Sequence, residues 1–457
     1  MLNFLWINAI NRSSEVETRY PNLGIGYLIA SLTSAFGENT FRFNIIDSNV
    51  DNVLKTFRPD IVGISCVSQN YHRAVEYARQ ANARNIPVII GGVHITALPQ
   101  SLSRDMTVGC IGESEETLIE LMQLYLDQES FPPHQLALIR GIVFYDEQGL
   151  LRQTAPRPLQ EDLDSLPYPD RRFLHTSSHT YMFTSRGCPY KCSFCASSRF
   201  WQKVRFFSAQ RVVDEIELLI QQYDIRFISF FDDLFVANRQ RFFDIVELLV
   251  EKGIAGKIKF SCSIRANVVT EDICRALKRM GVVSVGMGLE SGNQRVLSWL
   301  KKGGITVEDN RNAVALLNAY GIRPNASFVI GSPDETEEEI MDTLRFIKSV
   351  DLALFDVYVL TPFPGTPVWD IAKEKGLVSE GAAMQWEHLN VNFEVQPQKA
   401  IILSSTLSRK DLIALYRKFR RYRLFHNIMK IWTHPMLSDL PRFVVRTLQE
   451  KLFGIFK

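Results

Sequence analysis

Short apolar runs rich in β-branched residues, most ending in Gly, Ser or Asp, alternate along much of the chain with amphipathic stretches of helical period. In the first third, FRFNIIDSN (41–49), DIVGISCVS (60–68), PVIIGGVH (87–94) and VGCIGESE (108–115) read as strands, while GIGYLIASLTSAF, YHRAVEYARQANARN and EETLIELMQLYL read as helices. Strand, helix and strand in succession mark a doubly wound parallel sheet, because a parallel neighbour is reached only through a crossover. Residues 1–145 are therefore expected to form a Rossmann-like domain, closed by a hairpin at GIVFYDEQG. Residues 146–180 include TAPRPLQEDLDSLPYPDRRFL, where prolines and acidic turns break both periods, and read as a linker.

The alternation resumes over residues 181–375 with YMFTSRG, FISFFDDLF, IKFSCSIRA, VVSVGMGLESG, RPNASFVIGSPDE and VYVLTPFPGTP, separated by helical segments such as SAQRVVDEIELLIQQY. Six strands with intervening helices predict a partial (β/α)6 barrel or a second open sheet; residues 376–457 read as a helical, basic C-terminal region. Such folds put their chemistry at the carboxyl ends of the strands. In the second series Asp232, Asp233, Arg265, Glu290, Ser291 and Ser332 lie there.

Composition narrows the class. Hydrophobic residues at 46% and charged residues at 22% suit a large globular core, and a net charge of +2 gives no reason to expect nucleic acid as a partner. MLNFLWINAINRSS lacks the pattern of a secretory leader, and no apolar run reaches the ~18 residues of a membrane span, so a cytoplasmic location is expected. Cys66, Cys110, Cys262 and Cys274 are dispersed and do not resemble a disulfide framework. The other three cysteines are gathered in SRGCPYKCSFCASS (185–198) as Cys188, Cys192 and Cys195.

A zinc knuckle would need a second C-x2-C or H-x3-H pair, and none is near; His175 and His179 precede the cluster within Thr/Ser-rich sequence. A thioredoxin-type dithiol leaves the third cysteine without a role, and thiols that only pack do not suit so polar a loop. An iron-sulfur cluster fits better: four irons are normally held by four thiolates, and three leave one iron open for another ligand. The spacing C-x3-C-x2-C, with Phe194 before the last cysteine, resembles the radical S-adenosylmethionine (SAM) superfamily, and the resemblance extends over about residues 180–375.

That resemblance implies that Cys188, Cys192 and Cys195 hold a 4Fe-4S cluster whose fourth iron takes the amino and carboxylate groups of SAM. Reductive cleavage of SAM then yields a 5'-deoxyadenosyl radical. Phe194, Asp232, Asp233, Arg265, Glu290 and Ser291 are the implied SAM neighbours; helix capping competes for the two aspartates, a surface ion pair for Arg265, and a plain turn for Glu290 and Ser291. Ahead of this core, PNLGIGYLIASL, DIVGISCVSQNYHRAVEYA, PVIIGGVHITALPQ and CIGESEETLIELM resemble the cobalamin-binding domain of one large radical SAM class. Ser65, Ser68, Gly91, Gly92, His94, Gly112 and Glu113 are the implied cobalamin contacts, with small residues admitting the backbone close to a corrin. The D-x-H-x-x-G motif that supplies histidine to cobalt elsewhere is absent, and His94 is the tempting substitute.

The resemblance implies methyl transfer to an unactivated carbon or phosphorus, with radical cyclisation, rearrangement or oxidation as the alternative. A methylthiotransferase is disfavoured by the missing N-terminal cluster cysteines. From Ser408 onward Lys and Arg outnumber Asp and Glu twelve to three, and RKDLIALYRKFRRYRLFHNIMKIW interleaves cations with apolar side chains. Such a helix packs on the barrel, lies over a hydrophobic substrate, or rests on an anionic membrane surface. The expected partners are a small-molecule substrate and an external low-potential electron donor.

Overall fold

In a computed structural model the described residues are 1–11, 22–174, 176–381, 384–389, 393 and 396–430, with the side chain of Asn427 excepted. His175 and the basic tail from 431 onward lie outside them. The chain builds two parallel sheets in succession.

The first sheet contains β1 (Leu2–Ala9), β2 (Phe41–Ile46), β3 (Ile61–Cys66), β4 (Val88–Gly91), β5 (Val108–Cys110), β6 (Ile142–Tyr145) and β7 (Leu151–Gln153), in the order β2-β1-β3-β4-β5-β6-β7. The first five run parallel; β6 and β7 are antiparallel and form the expected closing hairpin. Its second strand lies beyond residue 145, inside the stretch read as linker. β1 itself was not foreseen. Its Phe4 and Trp6 face one core and Leu5 and Ile7 another, so burial on both faces turns the strand into an unbroken apolar run without alternation. Gly63 sits opposite Trp6, and a Cβ there would lie 2.6 Å from the indole ring, so only glycine lets that ring lie flat across β3.

The second sheet holds β8 (His179–Met182), β11 (Phe227–Phe230), β12 (Lys259–Ile264), β13 (Val282–Glu290), β14 (Arg323–Ile330) and β15 (Leu354–Val359), side by side in chain order and all parallel. β8 and β15 remain its two edges, as in a partial (β/α)6 barrel rather than a closed one. Between β8 and β11 the short strands β9 (Ser185–Arg186) and β10 (Arg205–Phe206) pair antiparallel and pin the two ends of the cysteine loop together.

The two sheets share a core. Leu5, Ile7 and Ile64 of the first pack in one cluster with Val329 of the second, with Val296 and Leu300 of the helix Gln294–Lys301, and with Trp369, Trp386 and Leu389 downstream. The helix Arg409–Lys430 lies along β15: Leu412, Leu415, Tyr416 and Phe419 are buried, and Arg423 meets Asp356 at 2.9 Å. Among the described residues no helix is long and apolar enough to cross a membrane.

Candidate active site

The cysteine loop is held by groups that sequence separates widely. Asp232, at the end of β11, accepts hydrogen bonds from Thr184 N at 2.6 Å, Ser185 N at 3.1 Å and the Thr184 hydroxyl. These fix the turn from β8 into β9. Burial pushes its carboxyl pKa up despite the donors. Gly187 follows with φ +97°, where a Cβ would stand 2.7 Å from Lys203 O; the chain turns there only because the residue is glycine. Farther on, Ser193 N donates to Leu300 O at 2.8 Å, tying the loop to the helix Gln294–Lys301.

Cys188, Cys192 and Cys195 line one cavity of about 550 Å³ at the carboxyl ends of the barrel strands, together with Tyr190, Phe194, Asp233, Arg265 and Glu290. Burial pushes the Cys188 thiol up to about 11 and raises Cys195 also, with Asp233 and the neighbouring thiols adding to both. Thiols so placed resist ionisation in the absence of a cation, and a bound metal cluster supplies the positive charge that their thiolates need. Three such donors spread round one cavity suit a polynuclear cluster, in which each thiolate takes its own iron, rather than a single ion. Among the described residues no group of three His, Cys, Asp or Glu is gathered tightly enough for one ion.

Arg265 departs from its expected setting. Rather than an open cation awaiting a carboxylate, it stacks 3.9 Å over the Tyr190 ring, donates to Gly303 O at 3.0 Å and reaches within 3.9 Å of Cys192 Sγ. Its cation therefore braces the middle of the cysteine loop. Glu290 meets Lys301 Nζ at 2.9 Å, and both side chains are more than nine-tenths buried. A register shift between Gly288 and Glu290 and a φ of +60° at Glu290 aim the carboxylate back over the strand. A Cβ on Gly288 would stand 2.1 Å from Glu290 Oε1, so the pair needs that glycine.

Two expected SAM neighbours do not reach the cavity. Asp232 is spent on Thr184 and Ser185, leaving Asp233 as the member of the pair that lines the cavity. Ser291 is fully buried, its hydroxyl 3.1 Å from Thr343 Oγ1 and from Asn293 N; it forms the turn before the helix that Asn293 caps.

The expected cobalamin contacts divide likewise. Gly91 and Gly112 face open space at the ends of β4 and just past β5, so a large flat ligand has room against their backbone. Gly92, at φ +105°, is instead pressed on Cys66, where a Cβ would come within 2.6 Å of the carbonyl oxygen. Ser65 accepts from Asn22 at 3.3 Å. His94 is not placed to ligate cobalt. It is fully buried, with Nδ1 3.1 Å from Ser68 Oγ, Nε2 3.0 Å from Ser101 Oγ and the ring stacked on Tyr71; burial pushes its pKa down to about 3. Ser68 serves that histidine.

Glu113 points across to the second domain. It meets Arg186 at 2.6 Å and Arg205 at 2.8 Å and accepts from Gln160 N, while Glu115 takes the other end of Arg186 at 2.6 Å. Burial pushes the Glu113 pKa up, but Arg205 and Arg186 together outweigh it and hold the carboxyl below its ordinary value. This clamp joins the carboxyl end of β5 to the first residues of the cysteine loop.

Sequence reasoning missed Lys301, Tyr190, Asn325, Ser327, Asp356 and Tyr358, all in the cavity lining. The last four sit at alternate positions of β14 and β15, and period-two alternation in RPNASF and LFDVYV was the available signal. Lys301 carried none, since its partner lies on another element.

Compared with known proteins, residues 182–347 match the radical SAM superfamily and residues 13–122 the B12 binding domain. Over 434 residues, covering 90% of each chain, the protein is 32% identical to an uncharacterized methyltransferase of Pyrococcus horikoshii. Over 93% of this chain and 71% of the other it is 27% identical to the anaerobic magnesium-protoporphyrin IX monomethyl ester cyclase of Cereibacter sphaeroides. In fold it resembles the radical SAM methyltransferase TsrM from Kitasatospora setae with cobalamin and a [4Fe-4S] cluster bound, at a TM-score of 0.70 and 18% identity over 91% of this chain and 90% of that one.

Proposed function

Because the chain belongs to the radical SAM enzymes that carry an N-terminal B12-binding domain, we propose that it transfers a methyl group to an unactivated carbon or phosphorus centre of a small molecule. Its cofactors are a 4Fe-4S cluster, SAM and cobalamin. When bound they supply an electron, a hydrogen-abstracting 5'-deoxyadenosyl radical and a methyl donor.

The chain's own residues hold and exclude. Cys188, Cys192 and Cys195 are the cluster ligands, with Arg265 and Tyr190 bracing the loop between them. Phe194, Asp233, Glu290 and Lys301 line the SAM side of the cavity, where the buried ion pair keeps its charges fixed and water out. Gly91 and Gly112 leave the first sheet open to the corrin. Residues 1–145 and 181–375 are the two working units in this reading, with the β6–β7 hairpin carrying the first unit to Gln153.

The observation that carries the reading is the buried Glu113–Arg186 contact, which sets the ligand end of the first sheet against the cysteine loop, so that donor and radical sites share a boundary. The cyclase relative favours a second reading, radical oxidation or cyclisation without methyl transfer. An external low-potential donor is to supply the electron, and we place the enzyme in the cytoplasm. Exposed Leu424, Phe425, Ile428 and Met429 on the C-terminal helix support contact with a membrane surface.

The test is anaerobic reconstitution with iron, sulfide and cobalamin, followed by SAM and dithionite. Bound corrin together with 5'-deoxyadenosine is expected. A chain that forms 5'-deoxyadenosine yet binds no corrin overturns methyl transfer, and a Cys192→Ala variant that still forms it overturns the radical reading.

A further inference from the structure

The barrel strands are in register across the lumen. Tyr181, Ser229, Ser261, Ser284 and Arg323 pair in sequence from β8 to β14 and so present one row of side chains on one face. Within that row Ser229 and Ser261 are 2.7 Å apart, and His179 Nε2 lies 2.9 Å from Ser229 Oγ. Two residues farther along their strands, Ser263, Gly286 and Asn325 line the cavity beside the cysteine loop, so the row forms the next layer below it on the same face.

Arg323 ends this row, and its surroundings are unusual. Both Nη1 and Nη2 are shut off from solvent and have no hydrogen-bond partner among the described residues. Arg241 and Arg265 each leave one buried nitrogen unpartnered but donate through others, Arg241 to Phe207 O and Thr184 O and Arg265 to Gly303 O, whereas Arg323 leaves both Nη atoms orphaned. Above it the buried Oδ1 of Asn325 is also unpartnered, although that residue faces the cavity. An enclosed guanidinium with nothing opposite is costly to the fold, and its planar fork of donors matches the paired oxygens of an oxyanion. Burial lowers its pKa, with no charged group contributing to the shift.

We propose that Arg323, with Asn325 above it and the serine row beside it, forms the floor subsite for an oxyanion of the substrate, a carboxylate or a phosphorus oxyanion. The substrate then stands on end in the lumen, its anionic group at the floor and its reacting atom toward the cysteine loop. This deepens the methyl-transfer reading and rests on the lumen being the reaction chamber. The Asn325 amide turns its N–H groups, in place of the unpartnered Oδ1, toward the anion, and the serine hydroxyls complete the cradle. A neutral, wholly apolar substrate does not fit such a floor.

The test uses the full reconstituted chain, with acetate and inorganic phosphate as separate probes in an otherwise anion-poor buffer. Melting temperature should rise saturably with one of the two, which identifies the class of oxyanion. In Arg323→Gln the affinity for that probe should fall at least tenfold, and Arg323→Lys should retain a weakened response. Without added anion, Arg323→Met should melt at or above the unsubstituted protein, because it removes an unpaired buried charge. No response to either probe, an unchanged response in Arg323→Gln, or an Arg323→Met chain that fails to fold each overturns the subsite. Formation of 5'-deoxyadenosine by the unsubstituted protein, followed alongside, reports separately on the radical reading.

Discussion

Glu335 closes the turn after β14 by accepting from Gly331 N at 2.7 Å and Ser332 N at 2.9 Å through one oxygen, while its other oxygen is buried without a partner among the described residues. Burial outweighs the two donors and raises its pKa from 4.5 to about 7. In the unfolded chain the carboxyl loses its proton first, so the stability it contributes is complete below its ordinary pKa and is lost as pH rises through about 7. Glu335→Gln, neutral throughout, should remove that fall and be the more stable form at pH 8 by up to ~3 kcal/mol, with little difference below pH 4.5. Urea unfolding of both proteins across that range checks it. At this scale a sequence names chemistry without assigning it. Asp232 and Asp233 are neighbours in FFDD, yet one holds a turn and the other lines the cavity. His94 follows GGV like a ligand, yet its two ring nitrogens are taken by serines 26 and 7 residues away.

Among the elements, the cysteine loop depends most on what lies outside it. Its entry is gripped by Glu113 and Glu115 from the first sheet, 73 and 71 residues earlier, with Arg186 and Arg205 nearly enclosed. Removing one partner of a buried pair costs about 3 to 5 kcal/mol, because the other charge is stranded. Glu113→Gln should therefore lose roughly 3 kcal/mol of stability and retain less iron after reconstitution. A Glu113→Gln protein with full stability and full iron content would show that the clamp holds nothing. The group's low pKa adds a second signature: its stabilisation is present above its ordinary value of 4.5 and lost as pH falls below it, a loss the Gln variant should not show. Strand and helix alternation was legible because its periods are local. β1 was not, since a strand covered on both faces has no polar face to mark it.

At the scale of the molecule, the two α/β units are clasped by chain that follows the barrel. Trp386 sets its ring 4.5 Å from His94 and 6.0 Å from Tyr71 of the first unit, and lies stacked 6.2 Å from Trp369. Emptying that space by Trp386→Ala should cost about 3 to 5 kcal/mol. The loss should uncouple the units, so calorimetry is expected to split one unfolding transition into two. A single, merely lowered transition would mean that the clasp is local. The basic C-terminal helix, open in sequence to several roles, packs its apolar face on β15 as far as it is described. Its outward Leu424, Phe425, Ile428 and Met429 remain exposed among the described residues.

Residue order is enough for the two α/β series, the succession of the units and the three thiols, because periodicity and close spacing act over a few residues and survive without a fold. Tertiary structure alone decided which polar groups meet. It took Asp232 and Ser291 out of the cavity, closed His94 between two serines, put Lys301 and Tyr358 into the cavity, turned Glu113 toward Arg186, and left both Nη atoms of Arg323 without a partner among the described residues. Those outcomes depend on strand register and on contacts between residues tens of positions apart, and no local pattern encodes either.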